Sequence, residues 1–368
     1  MQKIYIFEDS QQSTAGGGQK VSATLIEHLA CRLDVCVTVF DTISKNKSFF
    51  RRHGPVELRE YWRPKLRQSR FGPSFTYSFI QSMAIILAAV LAGLRLLLSM
   101  LFFPASRCQI CYCPTKFGYF VALLPSLFFQ CKLVMHLHNI SERDLSSRLF
   151  HWLLRTTADE VVCVSKTVYD SVNHYSKTLI RNPVPNPQKN RPLRRGSVIS
   201  LGVVASFFPY KGHSFFLEVA EKLLVKYPNL KINLYGDGPE LSSLSRQFNS
   251  KAIHFYGRLD DLDDIYNNLD LVVIPSLKPE AFSIVIPEAW SYGCFILAAD
   301  VPAHKELIED GVNGRLFLTG DSKDLYNKLE SYLQDREGHV TQIAGGYHSL
   351  GNLQFANFAP QLSQLILK

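Results

Sequence analysis

The sequence opens without the features of a secretory leader. Met1-Gln-Lys-Ile-Tyr-Ile-Phe7 starts like a strand and lacks the basic start and long apolar core that a leader needs, which argues against secretion. A complete set of metal-spaced ligands is also missing. Cys108, Cys111 and Cys113 stand close enough to raise a metal site, but no second pair follows, so no metal is expected. The eight cysteines lie mostly in apolar, strand-like runs, the pattern of reduced core thiols in a cytosolic protein. Acidic residues are in deficit, 32 against 40 Lys and Arg, which leaves a formal charge of +8. That balance suits a polyanionic partner, whether nucleic acid, anionic lipid or a phosphorylated substrate. Nucleic acid is disfavoured, because the basic residues come with no recognition helix or base-stacking motif.

At 368 residues, 46% hydrophobic and 20% charged, the chain is long enough for two globular domains. The pattern is α/β throughout. An apolar run at 3–8 is followed by a stretch containing Gly16, Gly17 and Gly18, then by helical spacing from Val21 to Leu33. The glycines permit close approach of a phosphate to backbone N–H groups, and they equally suit a plain flexible turn. A strand at Val35–Phe40 continues the alternation.

Lys45 to Arg70 is basic and aromatic, and an apolar stretch from Phe79 to Phe103 follows it. Three readings of that stretch stay open: a buried core helix, a helix that also dips into a membrane surface, or a transmembrane helix. The last would place Arg95 near mid-bilayer at roughly 2.5–3.5 kcal/mol. The neighbouring cations and aromatics favour contact with an anionic membrane surface, with a solvated loop as the alternative. Further on, the strand Cys131–His138 brings His136 and His138 to one face. His138, next to Asn139 at the loop entry, is a candidate to touch ligand. Proline-rich 180–192 reads as a linker. The same alternation then restarts at Val198.

The most informative stretch is Pro279-Glu-Ala-Phe-Ser-Ile-Val-Ile-Pro-Glu-Ala289, which lies between a strand ending at Pro275 and a helix stopped by Gly293. Glu280 falls in the loop at the strand's carboxyl end and Glu288 in the first turns of the helix. Ligands bind at that edge of an open α/β sheet, and a carboxylate there accepts from sugar hydroxyls. Asp261-Leu-Asp263 has the letters of a metal-binding Asp-x-Asp but is better explained as helix-start carboxylates.

Several motifs occur in one order and spacing: Lys211-Gly212, Gly236-Asp-Gly-Pro-Glu240, Gly257, Pro275-Ser276, Glu280 with Glu288, Gly293, and Glu306 through Asp310-Gly-Val-Asn-Gly-Arg-Leu-Phe317. In this the chain resembles the retaining glycosyltransferases of family four, densely over 198–320 and more loosely before, at Gly16 to Gly18, His138-Asn139 and Ser165. The resemblance implies the GT-B architecture, two tandem Rossmann-like domains facing a central cleft. Residues 1–184 would form the acceptor-side domain, 185–345 the nucleotide-sugar-binding domain, and 346–368 a C-terminal helix packing back toward the first.

The resemblance also implies residue roles. Glu280, Lys211 and His138 would stand at the reacting centre, with Lys211 neutralising the diphosphate leaving group. Glu288 would bind the ribose, and N–H groups near Phe282, Ser283 and Ile284 would bind the sugar or diphosphate. Gly17 and Gly18 would close over the phosphate, with Ser206 and Gly236 also on the donor side. The partners implied are a nucleotide-diphosphate sugar and a glycan or lipid-linked acceptor, with no cofactor. The setting would be the cytoplasmic face of a bacterial membrane. Two positions depart from the family pattern. Its arginine five residues before the lysine is Ser206 here, so a second cation on the diphosphate is either missing or supplied elsewhere, by Arg181 or Lys278. Its glycine after the phenylalanine is Ser283. The loss of that arginine keeps open a second reading, a GT-B partner subunit without turnover.

Overall fold

The computed structural model describes residues 2–9, 17–30, 34–41, 56–60, 75–140, 145–184, 199–353 and 355–367. The chain forms two compact units, Met1–Pro183 with Ala356–Lys368, and Val184–Phe355.

In the first unit the order is β1 (Gln2–Phe7), α1 (Gly17–Ala30), β2 (Val35–Asp41), β3 (Glu57–Glu60), α2 (Phe75–Phe102), β4 (Ile110–Cys113), α3 (Lys116–Phe129), β5 (Lys132–Leu137), α4 (Leu145–Thr157), β6 (Glu160–Cys163), α5 (Lys166–Ser171) and β7 (Lys177–Leu179). The strands form one parallel sheet in the order β3-β2-β1-β4-β5-β6-β7. A parallel sheet is covered on both faces, which is why its central strands are apolar on consecutive residues. Ile4, Ile6, Val37, Val39, Ile110 and Val134 bury one face against Val21, Leu25 and Leu29 of α1. Phe358, Leu362 and Ile366 of the C-terminal helix, Phe355–Leu367, join the same cluster. Thr115 and Ser165 cap α3 and α5 by accepting from the N–H groups of Gly118 and Val168.

α2 corrects one of the sequence readings, because it is not a buried core helix. It packs on α3 and buries Ala88, Ala89, Leu96 and Met100. It exposes Leu87, Val90, Leu91, Leu94, Leu98, Leu101 and Phe102 along another side. The basic stretch before it also holds a short edge strand, β3, which neither the membrane-contact reading nor its solvated-loop alternative anticipated. Most of Lys45 to Arg70 lies outside the described residues.

The second unit repeats the topology: β8 (Ile199–Val204), α6 (His213–Lys226), β9 (Leu230–Tyr235), α7 (Leu241–Gln247), β10 (Ile253–Gly257), α8 (Leu262–Tyr266), β11 (Leu271–Ile274), α9 (Val285–Ser291), β12 (Phe295–Ala299), α10 (Pro302–Leu307), β13 (Arg315–Phe317), α11 (Ser322–Gln334) and α12 (Val340–Ser349). Its parallel sheet runs β10-β9-β8-β11-β12-β13. Alternation sorts the strand residues between two layers. Leu201, Val203, Ile232, Leu271, Val273 and Leu297 pack with Phe216 and Ala220 of α6 and Leu325 and Leu329 of α11. Val272, Ile274, Ile296 and Ala298 pack with Ile286, Ala289 and Trp290 of α9. Asp261 caps α8, and Asp263 and Asp264 lie in its first turn, the helix-start arrangement expected for them. The unit runs on through α12 to Phe355, so only the last helix belongs with the first unit.

In both sheets the strand order reverses beside the first strand, between β1 and β4 and between β8 and β11. Loops leaving the carboxyl ends at such a switch point diverge and leave a crevice, where ligands bind in open α/β sheets.

Candidate active site

At the switch point of the second unit a cavity of about 200 Å³ opens between the ends of β8 and β11. Ser206, Lys211, Glu280, Phe282, Ser283 and Ile284 all line it. Lys211 closes a short 3₁₀ turn, Pro209–Lys211, whose cap is Gly212 at φ 75°. A Cβ on Gly212 would stand 2.0 Å from the carbonyl oxygen of Pro275, so only glycine lets this turn seat against the end of β11. The Leu277 N–H donates to the Tyr210 carbonyl at 2.8 Å and ties the two loops together. Lys211 Nζ then meets Glu280 Oε1 at 2.9 Å.

Glu280 is the hub of the cavity. Ser276 Oγ donates to its Oε1, and His304 Nε2 lies 4.0 Å from the same oxygen. Burial pushes the Glu280 carboxyl up. The Lys211 ammonium, His304 and the bonds from Ser276 and Lys211 outweigh that and hold it below the usual carboxylate range. Burial holds His304 below its ordinary value, against the pull of Glu280. Its Nδ1 faces the Ala299 carbonyl at 2.7 Å, which can only accept, so Nδ1 carries the proton in the neutral ring and Nε2 is left bare. Nothing in the sequence marked His304 as part of the site. The turn into α10 brings it there.

Among the described residues no acceptor is in place for the N–H groups of Phe282, Ser283 and Ile284, which stand where the loop enters α9. Glu288, in the first turn of α9, is buried and accepts from Tyr266 at 2.8 Å. Neither Glu288 nor Gly236 lines the cavity. Gly236, at φ 139°, has a packing role: a Cβ there would stand 1.9 Å from the Ala205 carbonyl oxygen, so it lets the β9 loop close on the loop that carries Ser206. Of the two cations proposed to replace the family arginine, Lys278 is exposed and outside the cavity lining, and Arg181 is in the other unit.

His138, Gly17 and Gly18 belong to the first unit. Gly17 and Gly18 are the first residues of α1, and Gly16 lies outside the described residues. His138 follows β5 directly, its ring 4.2 Å from that of His136, and burial lowers it to about 4, so it is neutral near pH 7. His136 Nδ1 meets the Tyr112 hydroxyl at 2.5 Å. Glu8, just past β1, was not singled out in the sequence. Burial raises its carboxyl to about 8 although Ser22 donates to it, and Asp41 and Asp9 add to the rise.

The metal-spaced cysteines regroup. Cys108 and Cys111 are joined by Cys131, with Cys108 Sγ 3.6 Å and 3.8 Å from the other two, and Cys113 is outside the trio. These thiols bond one another near the amino-terminal ends of β4 and β5, at the sheet edge opposite the carboxyl ends.

Two parallel-sheet α/β domains with a switch-point cavity are the architecture of the GT-B glycosyltransferases. The structure of Anabaena HepE in complex with UDP and glucose superposes with a TM-score of 0.77, covering 100% of both chains at 21% identity. Residues 198–335 match the family model described as glycosyl transferases group 1, so the second unit carries a glycosyl transferases group 1 domain. The phosphatidyl-myo-inositol mannosyltransferase of Mycolicibacterium smegmatis is 31% identical over 147 residues, 38% of either chain. The lipopolysaccharide 1,2-N-acetylglucosaminetransferase of Salmonella typhimurium is 25% identical over 240 residues, 60% of this chain and 62% of the relative. Each of these two sequence matches spans less than two thirds of the relative's own length.

Proposed function

We propose that the chain is a retaining glycosyltransferase. It would move a hexose from a nucleotide-diphosphate sugar to a hydroxyl of a glycan or lipid-linked acceptor in bacterial surface polysaccharide or glycolipid synthesis. The observation that carries this reading is the Lys211–Glu280 pair at 2.9 Å in the switch-point cavity, inside the stretch that matches the family. As the bond from the anomeric carbon to phosphate breaks, negative charge builds on the leaving phosphate. A fixed ammonium stabilises that charge without reorganising and without a metal. Glu280, held ionised, accepts from sugar hydroxyls, and the N–H groups of Phe282 to Ile284 are placed to donate to the sugar or diphosphate.

Support for the donor class comes from HepE, whose structure holds UDP and glucose. Support for the acceptor class comes from the phosphatidylinositol and lipopolysaccharide relatives. The exposed apolar side of α2 suits a peripheral position on the inner membrane face. The deciding experiment screens UDP-, GDP- and dTDP-hexoses for binding by thermal shift, with hydrolysis and transfer read alongside. Binding and turnover by wild type, both lost in Lys211→Ala and Glu280→Ala, support the enzyme. The second reading, a partner subunit without turnover, is favoured by Ser206 alone and would give binding with no hydrolysis or transfer.

A further inference from the structure

A second cavity, of about 350 Å³, lies within the first unit between α2 and the ends of β2 and β3. Phe40, Leu91 and Leu96 form apolar walls, and Arg59, Glu60 and Arg95 supply its charge. Arg95 is the sole charged residue among the 28 residues of α2. It has no hydrogen bond or ion pair among the described residues. Leu91 and Leu98 are exposed beside it on the neighbouring turns, and Leu94, just before it, is exposed in line with them. Arg59 differs, because its guanidinium is held by Glu57 at 2.9 Å and 2.8 Å.

A guanidinium with no partner among the described residues, walled by leucine and open to a pocket, offers forked donors to a phosphate oxygen pair. Glu60, also in the lining, disfavours a polyanion, and a carboxylate has acceptor sites enough to take a further bond from a hydroxyl. Together the groups fit a head bearing one phosphate ester beside hydroxylated carbon. The leucine stripe that continues from the pocket mouth fits a hydrocarbon chain. The volume suits one small head group and excludes a folded partner. The pocket also opens at the carboxyl ends of β2 and β3, the sheet edge where ligands bind.

We infer that the α2 pocket receives the phosphorylated head of an amphiphilic acceptor, with Arg95 on the phosphate and the hydrocarbon chain along Leu91, Leu94 and Leu98. The assignment rests on the lipid-linked acceptor reading given above. It names where that acceptor's head group sits.

The test uses the full chain and dodecyl phosphate below its micellar concentration, with affinity measured by calorimetry. Wild type should bind it. Arg95→Gln should weaken binding about tenfold or more, the range of a charge-assisted hydrogen bond. Ala92→Phe, which fills the pocket and keeps the arginine, should do the same. Dodecyl glucoside should bind more weakly than dodecyl phosphate, and inorganic phosphate should not displace the latter.

Equal affinity of wild type and Arg95→Gln for dodecyl phosphate overturns the assignment, since Arg95 is exposed and its loss leaves the fold intact. Displacement by inorganic phosphate marks a bare anion site and also overturns it. So does an Arg95→Gln variant that loses phosphatidylglycerol vesicles while keeping dodecyl phosphate, because the arginine is then a bilayer contact. Nucleotide-sugar binding, measured on the same samples, should not change in Arg95→Gln. Failure of wild type to bind any nucleotide sugar would count against the transferase and leave the dodecyl phosphate result to stand by itself.

Discussion

The two sheets share a strand order but differ in the charge at their switch points. In the second unit the crevice holds an ammonium and a carboxylate 2.9 Å apart, with the carboxylate kept ionised. In the first unit Glu8, just past the switch-point strand β1, is raised to about 8, and His138, past β5 one strand beyond β4, is lowered to about 4. At neutral pH these groups are uncharged. Burial without an opposite charge neutralises a titratable group, and burial with one fixes the charge. One topology therefore yields a fixed ion pair beside the first strand of one unit and an uncharged acid and imidazole beside the central strands of the other.

The sharpest way to break this contrast is to remove the fixed charge. Lys211→Ala and Glu280→Ala should each lower kcat/KM for transfer by about 10²-fold, the range for deleting one preorganised stabilising group. Turnover near the wild-type level in both, with melting curves unchanged, would sink the assignment. The next effect is on stability. Gly212→Ala introduces a Cβ 2.0 Å from the Pro275 carbonyl at a φ of 75°, and should lower unfolding free energy by about 1–3 kcal/mol in a urea titration. Donor binding should weaken with it, because the turn that seats Lys211 must move. An unchanged midpoint would mean that the turn does not need the close approach.

A third experiment addresses the neutral edge. Glu8 titrates near 8 in the folded chain against an ordinary 4.5, so the folded state keeps a proton that the unfolded chain gives up between those values. Stability contributed by this site therefore falls as pH rises from about 4.5 to about 8. Glu8→Gln removes that slope, and its Tm should exceed that of wild type by several degrees at pH 8 and by little at pH 5. A difference that is the same at both pH values would show that Glu8 is ionised in the fold.

Much of this contrast could be read from the sequence on the charged side and little on the neutral side. Lys211, Glu280 and Phe282 to Ile284 fall in loops after strongly apolar strands; the strand pattern placed Glu280 at the sheet edge, the family resemblance pointed to the others, and all line one cavity. Glu288 was placed correctly in its helix, but its carboxylate turns inward to Tyr266, an orientation that spacing does not carry. His304 depends on where α10 starts and on the bond that fixes its ring to the Ala299 carbonyl. The edge strands β3 and β7 were missed because Glu-Leu-Arg-Glu and Lys-Thr-Leu are short and polar, as edge strands tend to be. Glu8 carries a local signal, an acidic residue closing an apolar strand, but its protonation follows from burial that only the packed sheet reveals.

The smallest expected effect concerns Ser206, where the family pattern has an arginine. Ser206 is exposed and lines the cavity with Lys211, so a longer cationic side chain has room to reach the same space. A solvent-exposed cation added there should contribute about 0.2–1 kcal/mol, a roughly 1.5- to 5-fold gain in affinity for a nucleoside diphosphate. Ser206→Arg should therefore tighten diphosphate binding by that modest factor and steepen its decline with added salt, while Ser206→Ala leaves both unchanged. A gain confined to the arginine variant would mean that one cation suffices in this chain and that the second is an addition to it. If Ser206→Ala matched Ser206→Arg, the serine hydroxyl would be the operative group, and the missing cation would no longer distinguish this crevice from its relatives.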